Sequence, residues 1–404
     1  MKKMMCWSGL LAVLSLPSAE AANREIRALF QPDPSQPDKN VFVNKTPNSG
    51  YCASYPGQCA ENNMFSIRIP VKFDSTRAIV PGDELALQVP ANWRALTVTN
   101  QNTGESETVE VRIIGIGSRF TLSDTAANLV GVSDVLVGHQ RLWANQSWVY
   151  APAPCRYSGV GFYTPNTFGF FWKAPMEAPC NKVPAYRIPS MSFDYLDFAY
   201  ELRTPNPLGM SSGLYTGSLS YTLGPSGDFR MGSMMVPDDN NLTLDFVLDV
   251  QHTLKVELPP GGDKIAMEPV GGWQRWIDSG RKPAAIYRDQ PIYISASSRF
   301  KVMMICSSLG GSECNIGNNQ VGYSMFEVRL TVPTGLVGPG NHDGWSGTLR
   351  HNVWTGPFEP SRYVDRKPGM LRFQMPSKWI DSLLKPGMNG TLRGNVTVIF
   401  DSEV

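Results

Sequence analysis

Apolar and polar residues alternate with a period of two in several separate stretches of this chain. Successive side chains of a β-strand point to opposite faces, so each stretch offers one apolar face to a hydrophobic core. Helical periodicity is scarce, and only 273–278 and 377–384 suggest a turn or two of helix. The clearest alternating stretches are 65–73, 242–250, 254–258, 326–332 and 396–400. This pattern predicts an all-β protein.

Turn-forming residues separate these stretches. The 404 residues include 37 Gly and 32 Pro, a combined share above the ~12% of average proteins. Many short strands joined by Gly- and Pro-rich turns are typical of β-sandwiches. The 36 Lys and Arg nearly balance the 35 Asp and Glu, so the chain lacks the basic surplus of a nucleic-acid-binding protein. An apolar content of 42% excludes a disordered chain.

The first residues have the pattern of a secretion signal. Lys2 and Lys3 precede a short apolar run at 7–16, and Ala19-Glu20-Ala21 forms an A-x-A cleavage site. The run is shorter than the ~20 residues that a membrane-spanning helix needs. We therefore predict a cleaved signal at 1–21, a mature chain that starts near Ala22, and export.

Six cysteines remain after the signal, and they fall into three local couples. Six thiols allow 15 pairings, but the spacing favours bonds within each couple. No C-x-x-C pair occurs, and the histidines lie far from the cysteines, so a zinc site is not expected. The predicted disulfides are Cys52–Cys59, Cys155–Cys180 and Cys306–Cys314.

A Pro-, Gly- and Ser-rich segment at 203–213 interrupts the strand patterns near the middle of the chain. Each side of it is long enough for one sandwich. We predict an N-terminal domain at 22–203, a linker at 204–213 and a C-terminal domain at 214–404.

The segment 209–213 matches the G-x-S-x-G pattern of a hydrolase nucleophile elbow. The elbow needs a strand directly before it and a helix directly after it, whereas here a Pro-rich segment precedes and a strand-like run follows. The four histidines show no metal-binding spacing; they are His139, His252, His342 and His351. We expect neither an enzyme nor a metal or other cofactor.

Aromatic residues are concentrated in 141–200, which holds 15 of the 42 in the chain. Such rings fill sandwich cores, and they also stack on the apolar faces of sugars. Basic residues are interleaved with them, and these are seldom fully buried without a partner. The candidate ligand contacts are Arg156, Lys173, Arg187, Trp172 and Tyr157.

The run 394–400 near the end of the sequence is a strong strand pattern, with Val396, Val398 and Phe400 on one face. A long apolar edge strand is an aggregation hazard that proteins normally cover. An external strand could pair with it by β-augmentation, or the strand could lie inside its own sheet. The pattern alone leaves both alternatives open.

Several motifs resemble those of one family, the tip adhesins (initiator minor subunits) of alternate chaperone–usher fimbriae, or colonisation-factor-like pili, of Gram-negative bacteria. They are spread over most of the mature chain. The motifs are PCRY at 154–157, GVGF at 159–162, FFWK at 170–173 with Cys180, YELRTPNP at 200–207, GLYTG at 213–217, LDFVLDVQH at 244–252, YVDRKPG at 363–369 and GNVTVIFDSEV at 394–404.

The resemblance implies two immunoglobulin-like β-sandwich domains in tandem. The first would be a receptor-binding adhesin domain, and the second an incomplete pilin domain that lacks its last strand. The open groove would involve Val396, Val398, Phe400 and Val404. A periplasmic chaperone would lend the missing strand, and the next subunit would later replace it. The segment 22–31 is not a long alternating donor strand, so such a subunit would cap the fimbrial tip.

The resemblance also implies partners and a location. The partners would be the periplasmic chaperone, the outer-membrane usher, the major pilin subunit and a host-cell glycan or glycoprotein, with no nucleic acid among them. The protein would pass through the periplasm to the fimbrial tip at the cell surface. The alternatives are a secreted carbohydrate-binding module or hydrolase of two complete sandwiches, and a mainly structural initiator subunit.

Overall fold

The alternating stretches form β-strands, as predicted. A computed structural model describes residues 22–402 except 63, 312, 320, 382 and 385–389. The predicted signal at 1–21 and the groove residue Val404 lie outside the described residues. Strands dominate the described chain and surround two large hydrophobic cores, so the all-β prediction is confirmed.

The first core is enclosed by a 13-stranded sheet and a three-stranded sheet. The long strand β7 lies at the centre of the larger sheet and pairs with β6, β9, β11 and β12. The strands are β1 (Ala22–Phe30), β2 (Val43–Asn44), β3 (Phe65–Ile69), β4 (Phe73–Ser75), β5 (Leu85–Gln88), β6 (Arg94–Asn100), β7 (Ser106–Leu122), β8 (Arg156–Tyr163), β9 (Thr167–Lys173), β10 (Cys180–Lys182), β11 (Met191–Phe193), β12 (Leu196–Arg203), β13 (Gly213–Thr222), β14 (Arg230–Met231), β15 (Met235–Pro237) and β16 (Asn241–Val250).

The second core lies between an eight-stranded sheet and a five-stranded sheet. Both sheets are antiparallel. The strands are β17 (Leu254–Glu257), β18 (Glu268–Pro269), β19 (Ala285–Ala296), β20 (Phe300–Cys306), β21 (Leu309–Gly310), β22 (Glu313–Asn318), β23 (Gly322–Thr331), β24 (Leu336–Gly338), β25 (His342–Asp343), β26 (Ser346–Leu349), β27 (Trp354–Pro360), β28 (Val364–Pro376) and β29 (Val396–Ser402).

The helices are short. Thr125 and Asp134 cap two of them at the N-terminus by accepting main-chain hydrogen bonds with their side chains. The last two helices overlap the two short stretches for which a helical turn was predicted. The helices are α1 (Tyr51–Ser54), α2 (Pro56–Glu61), α3 (Ala126–Val130), α4 (Val135–Arg141), α5 (Gln274–Ser279) and α6 (Ser377–Ile380), with a 3₁₀ turn at Pro207–Gly209.

The N-terminal strand β1 belongs to the sheet of the first core. It pairs in parallel with β16 along its whole length, from Ala22 opposite Leu242 onwards. Ile26, Ala28 and Phe30 are buried. The segment therefore alternates and pairs as a strand, and its partner is a strand of the same chain.

The predicted linker at 204–213 does not separate the two cores, and this boundary prediction is wrong. Strand β13, directly after it, pairs with β6 and β16, and Tyr215 and Val250 both belong to the first core. The chain passes from one core to the other at 251–253, where Thr253 exchanges hydrogen bonds with Ser297. A Pro- and Gly-rich loop has the same composition whether it joins two strands of one sheet or two domains.

The three predicted disulfides are confirmed. The Cα–Cα distances are 5.6 Å for Cys52–Cys59, 5.8 Å for Cys155–Cys180 and 5.7 Å for Cys306–Cys314. The first closes the loop that holds α1 and α2, and the second joins the start of β8 to β10. The third joins β20 to β22, which lie in different sheets around the second core.

Candidate functional site

Two edge strands around the second core lie on the same side of the sandwich. Three connections, at 297–299, 332–335 and 361–363, carry the chain from β19 to β20, from β23 to β24 and from β27 to β28. One sheet has the order β17-β19-β28-β23 and the other has the order β29-β20-β27-β24. The strands joined by each connection have equal positions in the two orders: β19 and β20 are second, β28 and β27 are third, and β23 and β24 are fourth. The first strands, β17 and β29, therefore lie opposite each other.

The apolar face of β29 is only half covered. Val396, Val398 and Phe400 pack against the second core but remain half-buried. Their neighbours on β20 are nearly inaccessible: Val302, opposite Phe400, is 0% exposed and Met304, opposite Val398, is 3% exposed. Within the described chain, β20 is the only strand that pairs with β29. Among the described residues, the outer side of β29 therefore has no strand beside it, and it is the kind of apolar edge that proteins normally cover.

Strand β17 shows the same pattern. Leu254 and Val256 face the second core and are half-buried, whereas their partners on β19, Ala296 and Ile294, are fully buried. We use the name open groove for the half-buried apolar residues of these two edge strands, all of which pack against the second core: Leu254, Val256, Val396, Val398 and Phe400. Val396, Val398 and Phe400, which the sequence pattern placed on one face, all lie on the face of β29 that packs against the second core.

The open groove has the chemistry of a strand acceptor. The outer edge of β29 presents main-chain N–H and C=O groups spaced for a β-ladder, and its apolar side chains are spaced to receive every second side chain of an added strand. Peptide recognition by β-augmentation uses both features.

Four of the five predicted ligand residues lie on the β8–β9 hairpin, but on opposite faces. The hairpin belongs to the part of the chain around the first core, residues 22–250, which we call the first unit. Arg156 is directly opposite Lys173, and Tyr157 is directly opposite Trp172. Because consecutive residues of a strand point to opposite faces, the basic pair and the aromatic pair cannot line one surface. The single patch predicted from composition is therefore divided in two.

Trp172 is part of the core, so its prediction as a ligand contact is wrong. It is 0% exposed, its Nε1–H donates to the carbonyl of Trp148 at 2.7 Å, and the two indoles stack with centroids 5.1 Å apart. Tyr157 is 58% exposed and stacks on Tyr150. Arg187 is exposed in the connection between β10 and β11, apart from the hairpin.

Arg156 and Lys173 line an open depression of about 240 Å³. The Lys173 ammonium donates to Asn62 Oδ1 at 3.2 Å, and Arg112 pairs with Glu201 at 2.6 Å between Nη2 and Oε2. We call this the basic depression. It is lined by Asn62, Met64, Ala91, Arg112, Ile114, Arg156, Lys173, Ala174, Pro175 and Glu201.

The charges of the basic depression favour an anion, since three cations face one carboxylate. Arg112 and Glu201 come from β7 and β12, and Asn62 follows α2. Glu201 lies in the YELRTPNP motif at 200–207, but nothing in the sequence around these three residues places them beside the hairpin. Only the pairing of β12 with β7 and the packing of the disulfide loop do so. Sequence reasoning therefore missed them.

A buried carboxylate holds the segment that carries Asn62 and Met64. Asp197 Oδ2 accepts hydrogen bonds from the Tyr51 amide at 2.8 Å and from Arg68 Nη2 at 3.0 Å. Burial raises the pKa of Asp197 to about 7, although the Arg68 guanidinium opposes the shift. Tyr51 also stacks on Phe171 of β9, with centroids 3.9 Å apart.

The G-x-S-x-G segment lacks the geometry of a nucleophile elbow. Strand β13 begins at Gly213, where the elbow would require a helix. Ser211 is buried, and its amide donates to Glu105 and to the Tyr215 hydroxyl. Across the described ranges, no cluster of three or more His, Cys, Asp or Glu is placed to hold a metal ion. No helix in those ranges is long and apolar enough to cross a membrane.

Comparison with known proteins gives structural matches alone, since no family model and no curated protein matches the chain. CfaE, the adhesive subunit of CFA/I fimbria of enterotoxigenic Escherichia coli, aligns over 95% of this chain and 95% of its own, with 9% identity and a TM-score of 0.27. A chaperone–tip adhesin complex of CFA/I fimbriae biogenesis aligns over 96% and 98%, with 9% identity and a TM-score of 0.28. The CsuC–CsuE chaperone–tip adhesion subunit complex from archaic Csu pili of Acinetobacter baumannii aligns over 94% and 98%, with 10% identity and a TM-score of 0.22.

Proposed function

We propose that this chain is a non-enzymatic tip adhesin of a chaperone–usher fimbria. It accepts a donor strand from a periplasmic chaperone and then from the next subunit, and it binds a host-cell glycan or glycoprotein. The observation that carries the proposal is the open groove, whose apolar side chains are half-buried on both β17 and β29. The sequence motifs that resemble this family support the same conclusion.

A single strand is the occupant that suits the open groove. An added strand beside β29 would continue its ladder, and alternate side chains would cover Val396, Val398 and Phe400. The alternative, a secreted binding module or hydrolase of two complete sandwiches, predicts apolar edges that the chain itself covers, which the half-buried residues of β17 and β29 do not favour.

The place of β1 supports a position at the fimbrial tip. Residues 22–30 pair with β16 of their own chain, so this segment is occupied and cannot also be donated to another subunit. In this proposal the subunit receives a strand and donates none. The usher and the major pilin are its further partners in export to the cell surface.

The first unit is the proposed receptor-binding part. Its basic depression combines Arg112, Arg156 and Lys173 with the hydrogen-bonding groups of Asn62 and Glu201, a set that suits an acidic group on a glycan. The near-neutral net charge of the whole chain makes such binding a local property of this depression.

The test uses the full mature chain and a 12-residue peptide that alternates valine with threonine or lysine. A ligand at 100 times its Kd stabilises the folded state by ~2.7 kcal/mol, which corresponds to a rise in Tm of roughly 5–10 °C for a unit of this size. We expect that rise with the alternating peptide and none with a scrambled peptide of the same composition. Equal shifts with both peptides, or no shift at saturating concentration, would refute the strand-acceptor function.

A further inference from the structure

The main-chain nitrogen of Ala22, the first residue of β1, faces a carboxylate. It donates to Asp239 Oδ2 at 2.8 Å, while Asp239 Oδ1 accepts from the Asn241 amide at 3.0 Å. Asp239 lies two residues before β16, the strand that pairs with β1 from its first residue. The carboxylate is thus placed where β1 begins.

The charge of this nitrogen depends on processing. In a chain that still carries residues 1–21 it is an uncharged amide. Hydrolysis of the Ala21–Ala22 peptide bond consumes one water, leaves a carboxylate on Ala21 and leaves an amine on Ala22 that takes up a proton at neutral pH. A hydrogen bond between an ammonium and a carboxylate is about twice as strong as one between neutral groups.

We propose that the export signal is cut between Ala21 and Ala22, and that the new ammonium of Ala22 forms an ion pair with Asp239 that holds β1 in the sheet. This inference rests on the export route of the proposed function and is independent of the open groove. Processing then does more than remove a signal, because it creates the charge that fastens the first strand of the mature protein.

The register of β1 against β16 fixes which main-chain nitrogen lies beside Asp239, so only a cut before Ala22 places the new ammonium there. Burial of Ile26, Ala28 and Phe30 sets the face and the position of the strand, and each residue advances the chain by ~3.3 Å. A cut one residue later would leave no nitrogen near Asp239. A cut one or more residues earlier would carry the ammonium beyond hydrogen-bonding distance of the carboxylate.

The first measurement is the N-terminus of the exported protein, by intact mass and N-terminal sequencing. The second is a thermal double-mutant cycle on the full chain, comparing a protein that starts at Ala22 with one that carries Gly-Ser before Ala22, each with and without Asp239→Asn. Asp238→Asn is the matched control, because Asp238 accepts from the Lys72 amide instead.

We expect an N-terminus at Ala22. We also expect Asp239→Asn to lower the Tm of the protein that starts at Ala22 by roughly 2–6 °C and to lower that of the extended protein by clearly less. Asp238→Asn should have the same effect in both backgrounds. A different N-terminus, or an equal loss from Asp239→Asn in both backgrounds, would overturn the inference. Neither result would affect the peptide shift that tests the strand-acceptor function.

Discussion

The Tyr51 amide donates to the buried carboxylate of Asp197 at 2.8 Å, and this contact fixes the disulfide loop to the central sheet of the first unit. The main chain at Gly50 lies too close to Asp197 for any side chain: Gly50 has φ +67°, and a Cβ on it would lie 2.1 Å from the Asp197 carboxylate. The loop ends at Asn62 and Met64, which line the basic depression. Asp197 thereby positions one wall of the proposed binding site.

Asp197→Asn tests whether this buried carboxyl retains its proton in the folded state. Burial raises the pKa of Asp197 from 3.8 to about 7, so the native state retains a proton that the unfolded chain has released. The contribution of Asp197 to the free energy of unfolding is fully present below about pH 4 and is lost as the pH rises through 7. The Tm of wild type relative to Asp197→Asn should therefore fall between pH 4 and pH 7.

Asp83→Asn is the control for that series. The hydrogen bond from Arg77 holds the pKa of Asp83 near 2, so its contribution to stability disappears only in more acidic solution. The difference between wild type and Asp83→Asn should be constant from pH 5 to pH 7, the range over which Asp197 is compared with it. A parallel slope in both variants would show that Asp197 does not retain its proton.

Lys182→Met tests a buried ammonium in the same unit. Lys182 Nζ donates to the carbonyls of Asn145, Gln146 and Ser147 at 3.1, 3.2 and 3.0 Å. We expect a loss of about 2–4 kcal/mol at pH 7, since three carbonyls lose their partner. If Lys182→Met were more stable than wild type, the free-energy cost of desolvating the ammonium would be larger than the stabilisation from its three hydrogen bonds.

The pH dependence gives a second check on Lys182. Burial lowers the pKa of Lys182 from 10.5 to about 8. Its contribution to the free energy of unfolding is therefore fully present above pH 10.5 and is lost as the pH falls through 8. Wild type should gain stability relative to Lys182→Met as the pH rises from 8 to 10. Urea unfolding at each pH measures the difference.

Val398→Arg and Thr397→Arg form a matched pair for the open groove. Val398 faces the second core and is half-buried, whereas Thr397 is the adjacent exposed residue on the other face of β29. We expect Val398→Arg to abolish the Tm shift from the alternating peptide, because it places a charge in an apolar groove. Thr397→Arg should retain the shift. Loss of the shift in both variants would instead indicate general damage to β29.

Arg156→Ala with Lys173→Ala tests the basic depression. Each charge-assisted hydrogen bond contributes ~1.5–3 kcal/mol, so we expect at least a tenfold weaker Kd for a sialylated oligosaccharide by biolayer interferometry. Arg187→Ala is the control, since Arg187 is exposed but does not line the depression. If Arg187→Ala weakened the Kd and the double variant left it unchanged, the binding site would lie outside the basic depression.

Trp172→Phe separates a core role from a ligand role. The variant leaves the buried carbonyl of Trp148 without its indole donor, and we expect a loss of about 1–3 kcal/mol in the free energy of unfolding. Oligosaccharide affinity of the folded protein should be unchanged. If Trp172→Phe left the free energy of unfolding unchanged and weakened oligosaccharide binding, Trp172 would be a ligand contact and the core role would be wrong.

The sequence by itself determined the all-β class, several of the strands with their apolar faces, and the three disulfides. Alternation is a property of neighbouring residues, so Val396, Val398 and Phe400 could be assigned to one face without knowing what covers them. The same rule indicates that Arg156 and Tyr157, which are adjacent, belong to opposite faces of β8. The close spacing within each cysteine couple limited the pairing in a similar local way.

Only the tertiary structure decided which strands share a sheet. Strand β13 pairs with β6 across more than a hundred residues, and the loop between 203 and 213 carries no local mark of that pairing. The pairing of β7 with β9 and with β12 brings Arg112 and Glu201 to Arg156 and Lys173. In the second core, the strand order of the two sheets leaves β17 and β29 as facing edges. Pairing between distant strands depends on how whole faces pack together, and no short stretch of sequence contains that information.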